Sequence, residues 1–257
     1  MATTDRSAPG FVETEALRHI RATAREVAGN YDDAYWRAVS DGEREPTDFW
    51  QECADAGFLG ATVPQEYGGE GMGLVELTTA IEEMVANGCS GADMLFVVNV
   101  VFGAITLSEH GTEAQKEEYL EGLVDGDLRF CMALTEPNAG HNVPNLDTMA
   151  EPQGDGRFLV NGAKQWISGV DRADGMLLVA RTTPKDQVER RTEGITLFLA
   201  DPDDPAITLR ELDVGIPTPE KQFELTFEDY EVTEADIIGT RGEGLYQLFD
   251  TVNTERV

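Results

Sequence analysis

Near residue 128 the spacing of apolar residues changes from a helical period to short strand-like runs. That change limits the chain to a helical unit followed by a β unit. Upstream, Leu17, Ile20, Ala24 and Val27 recur at helical steps and predict an amphipathic helix over 14–27, followed by a polar connection. Thr47 is placed to cap a second helix carrying Phe49, Trp50 and Cys53, with Gly57 at its C-terminal end. After a glycine-dense, aperiodic stretch over 60–73, Leu74, Leu77, Ile81, Met84 and Val85 mark a helix closed by Gly88. The most apolar helix is expected over 93–110, and the capping-box pair Thr112 and Gln115 opens another that ends near Gly126.

Downstream, β-type runs are expected at 158–160, 176–181, 195–200, 207–212 and 222–228. Gly154-Asp155-Gly156 and Asn161-Gly162 read as turns between them, which is the spacing of a small antiparallel barrel or sandwich. From Gly242 the helical period returns through Leu245, Leu248, Phe249 and Val252. The expected fold class is therefore α+β. It has an all-α domain over 1–127, an antiparallel β-barrel or sandwich over 128–233, and a linker with the first helix of a further domain over 234–257. The rest of that further domain is expected to be missing.

Charge narrows the partners. Asp and Glu total 49 against 19 Lys and Arg, a formal charge of -30, so the chain repels nucleic acid and anionic membrane. The excess suits solvation in a salt-rich, halophilic cytoplasm, where screening shortens self-repulsion. The longest apolar run, 94–107, is interrupted by Asn99 and falls short of the ~20 residues of a bilayer span. It reads as a buried core helix. Residues 1–10 are polar, unlike a signal peptide, and a cytoplasmic location is expected. Cys53, Cys89 and Cys131 are widely spaced, with no pattern for a metal, and read as buried free thiols.

Two motifs carry the chemistry. Ala133-Leu134-Thr135-Glu136-Pro137-Asn138-Ala139-Gly140 is followed by Asn161-Gly162-Ala163-Lys164-Gln165-Trp166-Ile167-Ser168. In that order and at that spacing they resemble the flavin-binding motifs of the acyl-CoA dehydrogenase family. Leu59-Gly60-Ala61-Thr62-Val63-Pro64-Gln65-Glu66-Tyr67-Gly68-Gly69 and Phe227-Glu228-Asp229-Tyr230-Glu231-Val232 extend the resemblance on either side. An indole such as Trp166 suits the face of a flat, electron-poor ring, and Thr135 and Ser168 can offer hydroxyls to its polar edge.

The resemblance implies an FAD enzyme that dehydrogenates an acyl-CoA thioester to a trans-2-enoyl-CoA and passes electrons to an electron-transfer flavoprotein. It places Met132, Leu134, Thr135, Trp166, Ile167 and Ser168 at the flavin. His141 stands where the family has a small hydroxyl residue that touches the acyl-CoA. A carboxylate base is required. In most members it lies on a late loop of the C-terminal domain, but a minority, including the isovaleryl- and long-chain types, carry it on the first long helix of that domain, and Asn253-Thr254-Glu255-Arg256 resembles that pattern, with Glu255 as base and Asn253 and Arg256 toward the CoA. A homo-oligomer is implied for the full-length enzyme. A catalytically inert partner or fragment, and an acyl-CoA oxidase using oxygen, remain open alternatives.

Overall fold

The computed structural model describes residues 13–254. The helical half contains α1 (Glu15–Ala28), α2 (Asp33–Ser40), α3 (Thr47–Asp55) and α4 (Leu74–Ala86). A continuous helix, Ala92–His110, follows, made of α5 (Ala92–Phe96), a π-helical stretch (Val97–Ile105) and α6 (Thr106–His110). Then comes α7 (Glu113–Val124). The Thr14 hydroxyl caps α1 by accepting from Leu17 N at 3.2 Å, and the expected stripe Leu17, Ile20, Ala24 and Val27 is buried. On α4, facing α1, buried Glu83 accepts from Arg21 at 2.9 Å and Arg25 at 2.5 Å. Burial pushes that carboxyl up, but the two guanidiniums hold it below the usual range.

Between α1 and α3 the expected polar connection contains α2. Asp32 caps it by accepting from the Ala34 and Tyr35 amides, and Tyr35 and Trp36 pack edge-on in an aromatic cluster with Tyr31 and Phe49. Its 8 residues are too few for periodicity to announce it. Thr47 is the first residue of α3 rather than its cap, which falls on Pro46.

The long helix reaches past the apolar run in both directions and, at 19 residues, is long and apolar enough to cross a membrane by length and composition. Here it is the central core helix. Leu95, Phe96 and Val100 join the helical cluster, Val98 the sheet cluster, and Ala104 and Leu107 a third cluster between α7, the sheet and the final helix. Asn99 accounts for the polar interruption: its Nδ2 donates to Leu95 O and its Oδ1 accepts from Phe130 N, both at 2.9 Å, fastening the helix to the first strand. The three cysteines are free and buried as expected, and burial pushes each thiol up.

The β half is one sheet of 8 strands. These are β1 (Phe130–Ala133), β2 (Met149–Pro152), β3 (Arg157–Ser168), β4 (Gly175–Arg181), β5 (Ile195–Ala200), β6 (Ile207–Leu212), β7 (Gln222–Thr233) and β8 (Ile237–Ile238). The order is β6-β7-β3-β2-β4-β5-β8, with β1 also beside β4. Most pairings are antiparallel, as expected, but the path does not close into a barrel. In addition β1 and β2 both run parallel to β4, because the loop between them carries the chain back before β2 begins. The helix α8 (Gly244–Thr254) packs against β5 and the long helix.

A second local expectation fails in the β half. Asn161-Gly162 is not a turn but lies inside β3, at a bulge where the register with β7 shifts. Gly162 has φ 153° and presses on Thr148, where a Cβ would stand 2.7 Å from the Thr148 Cα. Asn161 instead bonds across to Asp229, donating from Nδ2 to Oδ1 at 2.9 Å and accepting from the Asp229 amide at 3.0 Å.

Candidate functional site

Where the sheet, the long helix and α8 meet, they enclose a cavity of about 580 Å³. Met132, Leu134 and Thr135 reach it from β1 and the residues after it, and His141 stands exposed at its rim with Val143 and Pro144. Trp166, Ile167 and Ser168 form the wall contributed by β3. Thus all six residues expected at the flavin, together with His141, line one cavity. The sequence did not reveal the opposite walls: Val97, Val98 and Phe102 from the π-helical stretch, and Leu245, Leu248, Phe249 and Val252 from α8.

Trp166 owes its orientation to a second bulge in β3, between Gln165 and Ile167, where its φ is 62°. The left-handed region is costly for a bulky residue, on the order of 1–3 kcal/mol, and persists only where the surroundings impose it. Here it turns the indole out of the sheet, and the side chain is left 52% exposed at the cavity. Gln165 N donates to Thr135 O at 2.8 Å, so the two motifs are joined next to the indole. The Ser168 hydroxyl accepts from Gln222 Nε2 at 2.8 Å and keeps its own hydrogen for another acceptor.

Beneath the walls lie buried charges. Lys164 is wholly buried; its Nζ donates to Glu136 Oε1 at 2.9 Å and to Leu134 O at 3.0 Å. Burial pulls its ammonium down to about 8 against the pull of Glu136. Burial alone would raise the Glu136 carboxyl, but Lys164 and the amides of Asp147 and Thr148 hold it below the usual range. Arg181, also buried, has no carboxylate among its hydrogen-bond partners in the described residues. Its guanidinium donates instead to the carbonyls of Arg191, Pro144, Glu193 and Leu146 at 2.7 to 3.2 Å, pinning the loop behind His141 to the loop before β5.

Asn253 is exposed and borders a separate groove with Thr62, Met72 and Ser108, away from the cavity expected to hold it. Its place on α8 explains this, since it follows the cavity-facing Val252 by one residue and so points to a different side. Glu255 and Arg256 lie outside the described residues. Among the described residues lining the cavity, none is a carboxylate, and His141 is the one ionisable side chain.

An aromatic face, two hydroxyls and apolar walls around a cavity of this size suit a broad planar ligand with a polar edge. Comparison with known proteins agrees. Residues 14–127 match the model of the acyl-CoA dehydrogenase N-terminal domain, and residues 131–230 match that of the acyl-CoA dehydrogenase middle domain. The chain is 31% identical over 247 residues to the acyl-CoA dehydrogenase FadE12 of Mycobacterium tuberculosis, covering 96% of this chain and 62% of that protein. It is 34% identical over 217 residues to the mitochondrial isovaleryl-CoA dehydrogenase of Pongo abelii, covering 82% of this chain and 49% of the relative. The structure of a glutaryl-CoA dehydrogenase from Mycobacterium smegmatis in complex with FADH2 superposes with a TM-score of 0.82 at 25% identity, covering 95% of this chain and 60% of the other. The chain thus spans between about half and two thirds of the length of these relatives.

Proposed function

This chain belongs to the acyl-CoA dehydrogenase family, and from that premise we propose that it forms the flavin-facing part of an FAD-dependent enzyme that dehydrogenates an acyl-CoA thioester at its α and β carbons. The domain division at 127/128 and 233/234 and a cytoplasmic, salt-rich setting belong to the same reading, as do an electron-transfer flavoprotein as electron acceptor and a homo-oligomeric full-length enzyme. The observation that carries it is Trp166, an exposed indole held at φ 62° over a cavity that also presents the Thr135 and Ser168 hydroxyls. Strain of that kind is retained where a ligand uses the side chain.

Bound in the cavity, FAD would supply a two-electron acceptor for the hydride leaving the β-carbon. The chain's own residues then have distinct tasks. Trp166 offers the ring a flat face, Thr135 and Ser168 donate to its polar edge, and Met132 and Leu134 exclude water beside it. His141, at the rim, can donate to the thioester-bearing ligand where a small hydroxyl serves other members.

Proton removal is assigned to Glu255. Leu245, Leu248 and Val252 face the cavity from α8, and Glu255 stands three residues further along the sequence in that series. Glu255 stands where the resemblance to the isovaleryl type puts the base. Arg256 and Asn253 would then serve the CoA portion, as the resemblance implies. In the full-length enzyme, Glu255→Gln should bind FAD normally and lose dehydrogenation by ~10²–10⁴-fold. Turnover near wild type would move the base elsewhere and leave Glu255 a surface acid.

A further inference from the structure

A buried ion pair is a weak source of stability, because desolvating two charges costs about as much as their attraction returns and an apolar pair would hold the fold as well. Lys164 and Glu136 are nevertheless sealed together, with 0% and 4% of their side chains exposed. What distinguishes them is where their other bonds go. Lys164 projects from β3 two residues before Trp166 and donates to the carbonyl of Leu134, a cavity residue adjoining Thr135. Glu136 accepts from the amides of Asp147 and Thr148 at 2.5 Å and 3.0 Å, at the far end of the loop that carries His141, Val143 and Pro144. Its own backbone exchanges both hydrogen bonds with Ala139, each at 3.1 Å, and so sets the direction in which the chain leaves toward Gly140 and His141.

Three cavity walls therefore radiate from one charged node: the segment ending at Thr135, the His141 loop, and the β3 bulge bearing Trp166. We propose that Glu136 and Lys164 are positioning residues whose pairing fixes these walls relative to one another and holds the Trp166 indole at the cavity. An apolar pair could fill the same volume, but it could not bond to the Leu134 carbonyl and to the Asp147 and Thr148 amides at once. Only for the identity of the ligand does this inference rest on the flavin reading; the clamp concerns the chain's own geometry.

The test separates positioning from plain stability. The chain is labelled with 5-fluorotryptophan, and the Trp166 resonance is identified by its loss in Trp166→Phe. That resonance, the thermal midpoint and FAD affinity are then compared in E136Q, K164M and the double variant E136Q/K164M. Each single variant leaves one buried group unpaired, so it should lower the midpoint and displace or broaden the Trp166 resonance. In the double variant the midpoint should largely recover, while the resonance stays displaced and FAD binds roughly tenfold more weakly or worse, as when the support behind a ligand-contacting residue is lost. The Trp36 and Trp50 resonances, from the helical core, should remain in place throughout. Return of the Trp166 resonance together with the midpoint in the double variant would overturn the proposal, and so would an unmoved resonance in both single variants. Failure of the wild-type chain to bind FAD would count against the flavin reading, and the resonance would then decide the clamp alone.

Discussion

One face of the helix Ala92–His110 is closed and the other open. On the closed face Leu95, Phe96 and Val100 are sealed among Trp50, Met84 and the other aromatic and aliphatic side chains of the helical core. On the open face Val97 and Phe102, half-buried, look across the cavity toward Trp166. The first region follows the simplest rule of folding, burying carbon against carbon on helices whose backbone bonds are made internally. The second breaks local rules in three ways, with a π-helical stretch, a bulky residue at positive φ and a buried ion pair behind the wall that carries it. Departures of this kind gather where a site is built.

The comparison can be broken first at the closed face. Phe96→Ala removes a fully buried ring and should destabilise the chain by about 3–5 kcal/mol. Chemical denaturation would check this, and a loss below about 1 kcal/mol would mean that the core is far looser than its packing.

A smaller effect should appear as an acid dependence at the open face. Glu136 is held below the usual carboxylate range in the fold, so it contributes stability above its unfolded-state pKa that is lost as pH falls through the folded value. Thermal midpoints between pH 7 and 3 should therefore fall less steeply in Glu136→Gln than in wild type. Equal slopes would show that the carboxyl titrates alike in both states. Glu83, also held low by its guanidinium partners, should add a similar acid limb from the helical half.

How far each region could be read from sequence follows from the same difference. Leu17, Ile20, Ala24 and Val27 gave α1 correctly because a helical stripe is repeated over several turns. The Trp166 position was found through its motif, but its left-handed backbone was not, because a bulge depends on the partner strand. Asn161-Gly162 misled for that reason: the pair is a strong turn signal locally, and only contact with Thr148 makes it a bulge. The Glu136–Lys164 pair joins residues 28 apart. Its one visible signal was the phase of β3, where Lys164 falls on the inward alternation set by Phe158 and Val160. Arg181 likewise closes an otherwise apolar strand that is buried at every position. The cavity walls from the long helix and α8 gave no signal at all, since helical periodicity marks a buried face without saying what lies opposite.

The smallest expected effect concerns screening. With a formal charge of -30, exposed carboxylates repel one another, and molar KCl should raise the thermal midpoint above its value in dilute buffer. The buried Glu136–Lys164 pair is shielded from that salt, so the rise should be the same in wild type and in E136Q/K164M. An unchanged midpoint would remove the case for a salt-rich setting.

The most direct test of the account compares FAD binding by the wild-type chain and by Trp166→Gly, each followed by flavin fluorescence and by thermal unfolding. Glycine accepts φ 62° without strain, and that relief offsets part of the packing lost with an indole that is 52% exposed, so stability should change by no more than about 1–2 kcal/mol. FAD affinity should fall roughly tenfold or more, since an aromatic stack contributes about 0.5–1.5 kcal/mol beyond its area and each 1.4 kcal/mol is a factor of ten. A variant that binds FAD as tightly as wild type, or one that unfolds several kcal/mol more easily, would contradict the claim that Trp166 is held in strain for a ligand rather than for the fold.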